Sequence, residues 1–378
     1  MKGIGLIRTA AAVSGVVLLA AGCGKEVPGV NYAGQEVVIT SKAPSASSAT
    51  KTEYSGYTEG SKVERINWIV GDVIRMCSDK ANVQNNGPKG ENYGLYYSDY
   101  RIDNVTEATG NDHVADKLSP VLGNGLVWVD NAAHRFWGVY PAPGSEGAPA
   151  GLDITGFSSA PAEDAAVTAT LPFPAAQTAT RSEDRWLADL GKGGFMLSAA
   201  EASAPATGGT VNFDFKAAFT AFEFVFGADT EMQVTGFEMY TGETGTALSG
   251  TATATLVGTK WEFGTVARTA ENSKISVTFS EPIKLVPEGS TAADGITEAH
   301  LTVLGLPQDL SGITIKFITN AGNRTLKLTQ KGEWVTFKGR NKAYIKGLIV
   351  PGTVWMISLD PTVKDWTVLD DTINLLVD

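Results

Sequence analysis

Cys23 and Cys77 are the only thiols in this chain, and His113, His134 and His300 are its only imidazoles. Nucleophilic, redox or metal chemistry would be built from such side chains. Their spacing supports none of it. The sequence holds no HExxH and no CxxC, and the histidines lack metal-ligand spacing. "GFSSA" ends in Ala160 where a nucleophile elbow carries glycine. "GNGLVW" reaches Trp128 where the dinucleotide fingerprint needs its last glycine, and "GPKGEN" is no phosphate loop. His134 lies in an aromatic strand-like run and reads as structural. Asp370 and Asp371, adjacent in sequence, read as solvated surface. The expectation is no enzyme, no catalytic residue, no metal and no cofactor.

Cys23 has a different setting. "VVLLAAGCGKE", Val16 to Glu26, is an apolar run that ends in small residues and this cysteine before turning polar. Lys2 and Arg8 give the start its positive charge, and residues 9–21 carry none. A basic end, an apolar middle and small residues at a cut form a secretory signal, predicted over 1–22. The run falls short of the roughly 20 apolar residues that span a bilayer. A cysteine directly after the cut resembles the bacterial lipobox, in which the thiol is acylated and becomes the new N-terminus. Ala20 stands where that motif usually has leucine, with Leu19 one place earlier. Cys23 is thus the expected lipidation site. Cys77 then has no partner for a disulfide, and in "VIRMCS" it reads as packed apolar filler.

Elements of strand type dominate the rest. The chain has 378 residues, 43% hydrophobic and 19% charged, with 42 glycines and 16 prolines spread throughout. That composition is globular, and frequent punctuation favours many short strands. A net charge of −11 argues against nucleic acid, whose phosphates need concentrated Lys and Arg. In "VNFDFK", "AFEFVF", "KISVTFS" and "GITIKFIT" apolar residues alternate with polar or small ones, which puts one sheet face in a core. Ile66, Trp68 and Val70 alternate, Gly71-Asp72 makes a turn, and another strand starts at Val73. "GNGLVWVD" and "HRFWGVYPAP" read as a further pair. No crossover-length helices separate the strands, so antiparallel β-sandwiches are expected rather than βαβ units. The one predicted helix is "SEDRWLADLGKGG", capped by Ser182 and stopped by Gly191. The domain boundary is placed there, giving a sandwich over 61–190 and another over 191–378, behind a leader at 23–60.

Several blocks resemble the fimbrillin family, the type V pilins of Gram-negative anaerobes. They are "TKTEYSG" with "ERINWIVGDVIRMCSDKA", "HRFWGVYPA", "VNFDFKAAFTAFEF" and "ITIKFITNAGNRTLKLTQKGEWVTFKGRNKAYIKGLIVPGTVW", in order behind the lipobox. The resemblance implies two tandem transthyretin-like β-sandwich domains. It also implies export as an outer-membrane lipoprotein, removal of the leader and first strand by a trypsin-like protease, and surface fimbriae built by donor-strand exchange. Partners would be other pilin subunits, the outer membrane through lipid, and host or bacterial surface receptors.

"QEVVIT", Gln35 to Thr40, is the candidate removable strand, followed by the cleavable tract "SKAPSASSATK". Family processing usually follows arginine; this tract offers Lys42 and Lys51, and Arg65 is the first arginine. The candidate donor strand is "WTVLDDTINLLVD", in which Trp366, Val368, Ile373, Leu375 and Val377 alternate with smaller or polar residues. Its other reading is as the last strand of its own domain. The alternative function is a retained surface lipoprotein, an anchor or a glycan binder with a platform among Trp128, Trp137, Trp334 and Trp355. Aromatics in period-two strands, however, mostly face a core.

Overall fold

A computed structural model describes residues 31–42, 53–54, 66–83, 94–108, 112–155, 166–182, 184–291, 295–330, 333–340, 342–350 and 353–360. Among them helix is confined to two single turns, Leu190–Gly193 and Ala204–Thr207. The remainder is organised by three larger sheets. One has eight strands, in the order Thr210–Asp214, Val38–Lys42, Asp112–Pro120, Tyr97–Ala108, Val73–Ser78, Ala133–Tyr140, Met196–Ser203 and Lys216–Ala217. A four-stranded sheet runs Asp153–Thr155, Thr168–Phe173, Gly250–Val257, Lys260–Phe263. The third has ten strands, from Arg324–Lys327 through Ile313–Thr319, Met232–Thr241, Lys274–Leu285, Ala176–Ser182, Arg185–Ala188, Ala299–Gly305, Thr220–Ala228 and Lys342–Val350 to Thr353–Asp360.

The alternation read from sequence sets which faces meet. Phe222, Phe224 and Phe226 of Thr220–Ala228 point to one side. Phe224 lies 4.8 Å from Phe237 and Phe226 lies 4.7 Å from Phe317, ring centre to ring centre. Phe237 and Phe317 belong to the other half of the same sheet, so the ten strands fold over into a sandwich filled with aromatic rings. Its two outermost strands, Arg324–Lys327 and Thr353–Asp360, come into contact. In the eight-stranded sheet Trp68 packs edge-on to Tyr140 and Phe215, at 5.3 and 5.2 Å, and Phe136 to Phe213 at 6.4 Å. Cys77 is fully buried there, and burial pushes its thiol pKa well up, which leaves it inert packing.

The all-β expectation holds, and the turn at Gly71, with φ of 102°, stands where it was read, ahead of Val73–Ser78. Three local readings need correction. The predicted helix from Ser182 is a strand, Arg185–Ala188, followed by the single turn capped by Asp189. Trp186 and Ala188 are buried while Arg185 and Leu187 are half-buried, a period of two. Pairing with Ala176–Ser182 on one side and Ala299–Gly305 on the other overrides the local helical pattern. Second, "GNGLVWVD" and "HRFWGVYPAP" are not partners: Leu126–Val127 pairs with Asn82–Val83, and Ala133–Tyr140 with Val73–Ser78 and Met196–Ser203. Third, the pairing is not wholly antiparallel. Val38–Lys42 with Thr210–Asp214, Ala176–Ser182 with Lys274–Leu285, Arg185–Ala188 with Ala299–Gly305, and Thr220–Ala228 with Lys342–Val350 all run parallel. Sheet membership also crosses residue 190: Ala176–Ser182 and Arg185–Ala188 sit in the ten-stranded sheet, while Met196–Ser203, Thr210–Asp214 and Lys216–Ala217 complete the eight-stranded one.

The outward face of Thr220–Ala228 carries a charge, Glu223, that is fully buried. Its Oε1 accepts from Arg185 Nη2 at 3.0 Å and lies 2.8 Å from His300 Nδ1, and its Oε2 accepts from Lys342 Nζ. These groups come from four adjacent strands, so one carboxylate ties the four together. Burial pushes the Lys342 pKa well down, and the Glu223 carboxylate at its Nζ is the group that opposes this.

Candidate functional site

Val38–Lys42 is short, comes early in the chain and lies inside a sheet rather than at its edge. Val37, Ile39 and Ser41 are buried while Val38 is 53% exposed, so the strand shows the two-residue period of a half-buried element. Along its whole length it pairs parallel with Thr210–Asp214, from Val38 opposite Thr210 to Lys42 opposite Asp214. At its far end Ser41 and Lys42 also pair antiparallel with Ala115 and Val114. The Thr40 hydroxyl adds a bond to the Asn212 side-chain oxygen.

The residues just before the strand are held in the same lane. Gly34 N–H donates to Trp128 O and Val37 N–H to Leu126 O, both at 2.8 Å, and Trp128 N–H donates to Gln35 O at 3.0 Å. Beneath them lies an aromatic layer. Trp128 meets His134 at 5.0 Å and Phe136 at 5.4 Å, and its indole donates to Gly209 O at 3.3 Å. Leu126 N–H donates to the Tyr100 hydroxyl at 2.7 Å; burial pushes that phenol's pKa up, and the N–H works against the shift. Taken away, residues 34–42 would leave Leu126 O, Trp128 N–H and O and the free side of Thr210–Asp214 without partners, over an apolar floor. An open lane of that kind accepts another extended chain: backbone groups supply affinity and alternate pockets supply register.

The sequence-predicted residues fall unevenly across this geometry. "QEVVIT" does mark the strand, shifted toward the C-terminus by a few residues. Lys42 is the strand's last residue, with its backbone paired on both sides. Cys23, Lys51, Arg65 and the donor-strand candidates Trp366, Val368, Ile373, Leu375 and Val377 lie outside the described residues, as do Asp370 and Asp371. Trp128 and Trp137 are core, at 0% and 1% exposure, which rules them out as a ligand platform. Trp334 is 37% exposed, and the Trp355 side chain lies outside what is described. His134 is wholly buried with Nδ1 2.8 Å from Ala132 O, a structural role. His300 belongs to the Glu223 cluster. No three His, Cys, Asp or Glu side chains among the described residues are grouped to hold a metal ion. Within the described residues no helix is long and apolar enough to cross a membrane.

Sequence reading missed two features. Glu223 and its partners come from segments 38 to 119 residues away, and no local signal joins them. Trp261 and Phe263, half-buried on one face of Lys260–Phe263, were legible as period-two aromatics after Gly258-Thr259.

The described chain is an all-β protein of folded-over sheets with an early strand threaded between two later ones. No protein-family model matches the sequence, and no curated protein matches it. Among solved structures it is similar to a "putative cell adhesion protein" from Bacteroides ovatus, with 13% identity over 92% of this chain and 99% of that one, at a TM-score of 0.49. A "putative cell adhesion protein" from Bacteroides uniformis shares 14% over 88% and 99% at 0.47. A fimbrial protein from Bacteroides vulgatus shares 14% over 77% and 92% at 0.35.

Proposed function

We propose that the chain is a structural and adhesive subunit of cell-surface fimbriae, made as a lipid-anchored outer-membrane precursor and polymerised by donor-strand exchange after proteolysis. The observation that carries this reading is the place of Val38–Lys42. It fills an interior lane between Thr210–Asp214 and Asp112–Pro120, yet it belongs to the part of the chain nearest a removable end. A cut between it and Glu53 would separate it covalently from every later strand of the described chain. The unpaired edges then favour a replacement strand from a neighbouring subunit, so assembly needs no nucleotide outside the cell. The sequence resemblance given above supports the same route. Lys51 or Arg65 is the proposed cut, because the Lys42 backbone is held in the sheet and a protease needs an extended, accessible chain. The donor is the segment 366–378, and the function is non-catalytic.

Two outcomes are expected. Low-dose trypsin acting on the folded, lipid-free precursor should cut first within 43–65, as read by N-terminal sequencing of the large fragment, and filaments should then appear by electron microscopy. A first cut inside either large sheet, or processed protein that stays monomeric, would contradict the proposal. Labelled palmitate should enter the wild type in cells and not Cys23→Ser; equal labelling of both would remove the lipid anchor from the account.

A further inference from the structure

A cleft of about 420 Å³ lies between the four-stranded sheet and the far end of the eight-stranded one. Lys260–Phe263 is the outermost strand of its sheet. Lys260 and Glu262 are exposed, whereas Trp261 and Phe263 share the half-buried face that turns toward Met196–Ser203. Trp261 Nε1 donates to Ser198 O at 3.1 Å, which fixes the indole at the cleft wall. The short strand Lys216–Ala217 covers only Met196 and Leu197, so the cleft opens just beyond them.

The lining is cationic in a chain whose net charge is −11. Lys216, Lys260 and Arg340 reach it, against one carboxylate, Asp214, which sits 2.9 Å from Lys216. Among the described residues neither Lys260 nor Arg340 has a carboxylate partner. The Arg340 guanidinium lies 4.9 Å from the Phe263 ring centre. Arg340 is also the one non-glycine residue among those described with a positive φ, 61°. Its N–H donates to Thr220 Oγ1 at 3.0 Å, and the preceding Gly339 N–H donates to Asp309 Oδ1 at 3.0 Å. An unusual backbone pinned from two sides, presenting a charge at a cleft, is the pattern of a positioned binding group.

The geometry points to a binding site for an acidic saccharide, a pyranose bearing a carboxylate. Trp261 and Phe263 stand two residues apart on one strand face, about 7 Å by strand rise; Arg340 already stacks on Phe263, so a sugar ring lays its C–H face along Trp261 beside that stacked pair. A carboxylate on the ring then meets the Arg340 fork and the Lys260 and Lys216 ammonium groups, the strongest hydrogen bonds available to it. The cleft volume falls within the range of small-ligand sites, roughly 300–1,000 Å³. An acidic peptide adding as a strand fits less well, because Ser198 O, the edge acceptor it would need, is already taken by Trp261. The site meets the Val38–Lys42 lane at one residue, Asp214, which ends Thr210–Asp214 opposite Lys42; its other lining residues lie outside the lane, and the lane is filled in the unprocessed chain. Binding therefore does not rest on the assembly proposal and can be measured on the unprocessed monomer.

The test titrates the purified full-length monomer with three acidic probes: trigalacturonic acid, an oligoglucuronate and 3′-sialyllactose. Maltotriose serves as the neutral control and a poly-glutamate peptide as the rival class. Tryptophan fluorescence and calorimetry are the readouts. At least one acidic saccharide should bind, about tenfold or more tighter than maltotriose, and weaken with added salt. The exposed pair Lys260→Gln with Arg340→Gln should lose about tenfold in affinity at an unchanged melting temperature, and Phe263→Ala should weaken binding independently. The inference is overturned if none of the three acidic sugars binds at millimolar concentration, if maltotriose binds equally well, or if the charge variants bind as the wild type does. Tighter binding of poly-glutamate would reassign the cleft to acidic peptide.

Discussion

Glu223→Ala is expected to destabilise the ten-stranded sheet by about 3–5 kcal/mol, the range for breaking a buried ion pair from one side. Lys342 is 5% exposed and Glu223 fully buried, and Arg185 and His300 meet the same carboxylate. Removing the anion leaves Lys342 either as an uncompensated buried ammonium or as an amine that has given up its proton. Both states cost free energy. The sign of the pH dependence follows. With its folded pKa lowered by burial and no anion left to oppose it, Lys342 in the variant binds fewer protons folded than unfolded. Stability of the variant should therefore rise with pH across the window from that lowered value to the unfolded lysine value of about 10.4. The deficit against wild type should shrink only up to the wild-type protein's own lowered Lys342 pKa, above which both proteins gain alike. Glu223→Leu combined with Lys342→Met should recover much of the loss, since apolar replacement of a buried pair is often neutral. Denaturant unfolding of the three proteins over a pH series decides it. A Glu223→Ala protein within experimental error of wild type at neutral pH would mean that the cluster is solvated.

The second large effect is expected from a chain that starts after Lys42. It loses the burial of Val37 and Ile39, about 1.5–3 kcal/mol for each side chain. It also leaves Leu126 O and both backbone groups of Trp128 without their present partners, at about 1–3 kcal/mol for each group that water cannot reach. Its melting temperature should fall by several degrees or more. A synthetic peptide of residues 34–42 should restore it in proportion to the logarithm of peptide concentration, as any ligand of the folded state does. Scrambling that peptide so that Val37 and Ile39 fall on the exposed face should abolish rescue, because register decides which side chains enter the lane. A truncated chain that melts with the full-length protein would show that the lane is not a structural element.

Much of the fold is written in local pattern. The runs "VNFDFK", "AFEFVF", "KISVTFS" and "GITIKFIT" all became strands with their phenylalanines buried, because the two-residue period depends only on neighbours in sequence. The same reasoning identified "VIRMCS" and the turn before it. It failed at Trp186, where Ser182, acidic residues and leucines gave a helical signature that parallel pairing with a strand more than a hundred residues later overrode. Partner choice was equally hidden. Nothing near Val38 says that it will lie against Thr210, and nothing near Glu223 announces Lys342. The strand in the candidate site was visible; the lane that receives it is a property of topology and was not.

The central claim is that the lane of Val38–Lys42 is refilled by the C-terminus of another copy. Its most direct test uses the trypsin-processed chain lacking residues 373–378, compared with the processed full-length chain. Filaments are counted by electron microscopy and unfolding midpoints recorded on the same samples. The account predicts no filaments from the truncated protein and an unfolding midpoint unchanged from that of unassembled full-length chain. A truncated protein that polymerises like the full-length one, or one whose ten-stranded sheet is itself destabilised, would contradict it.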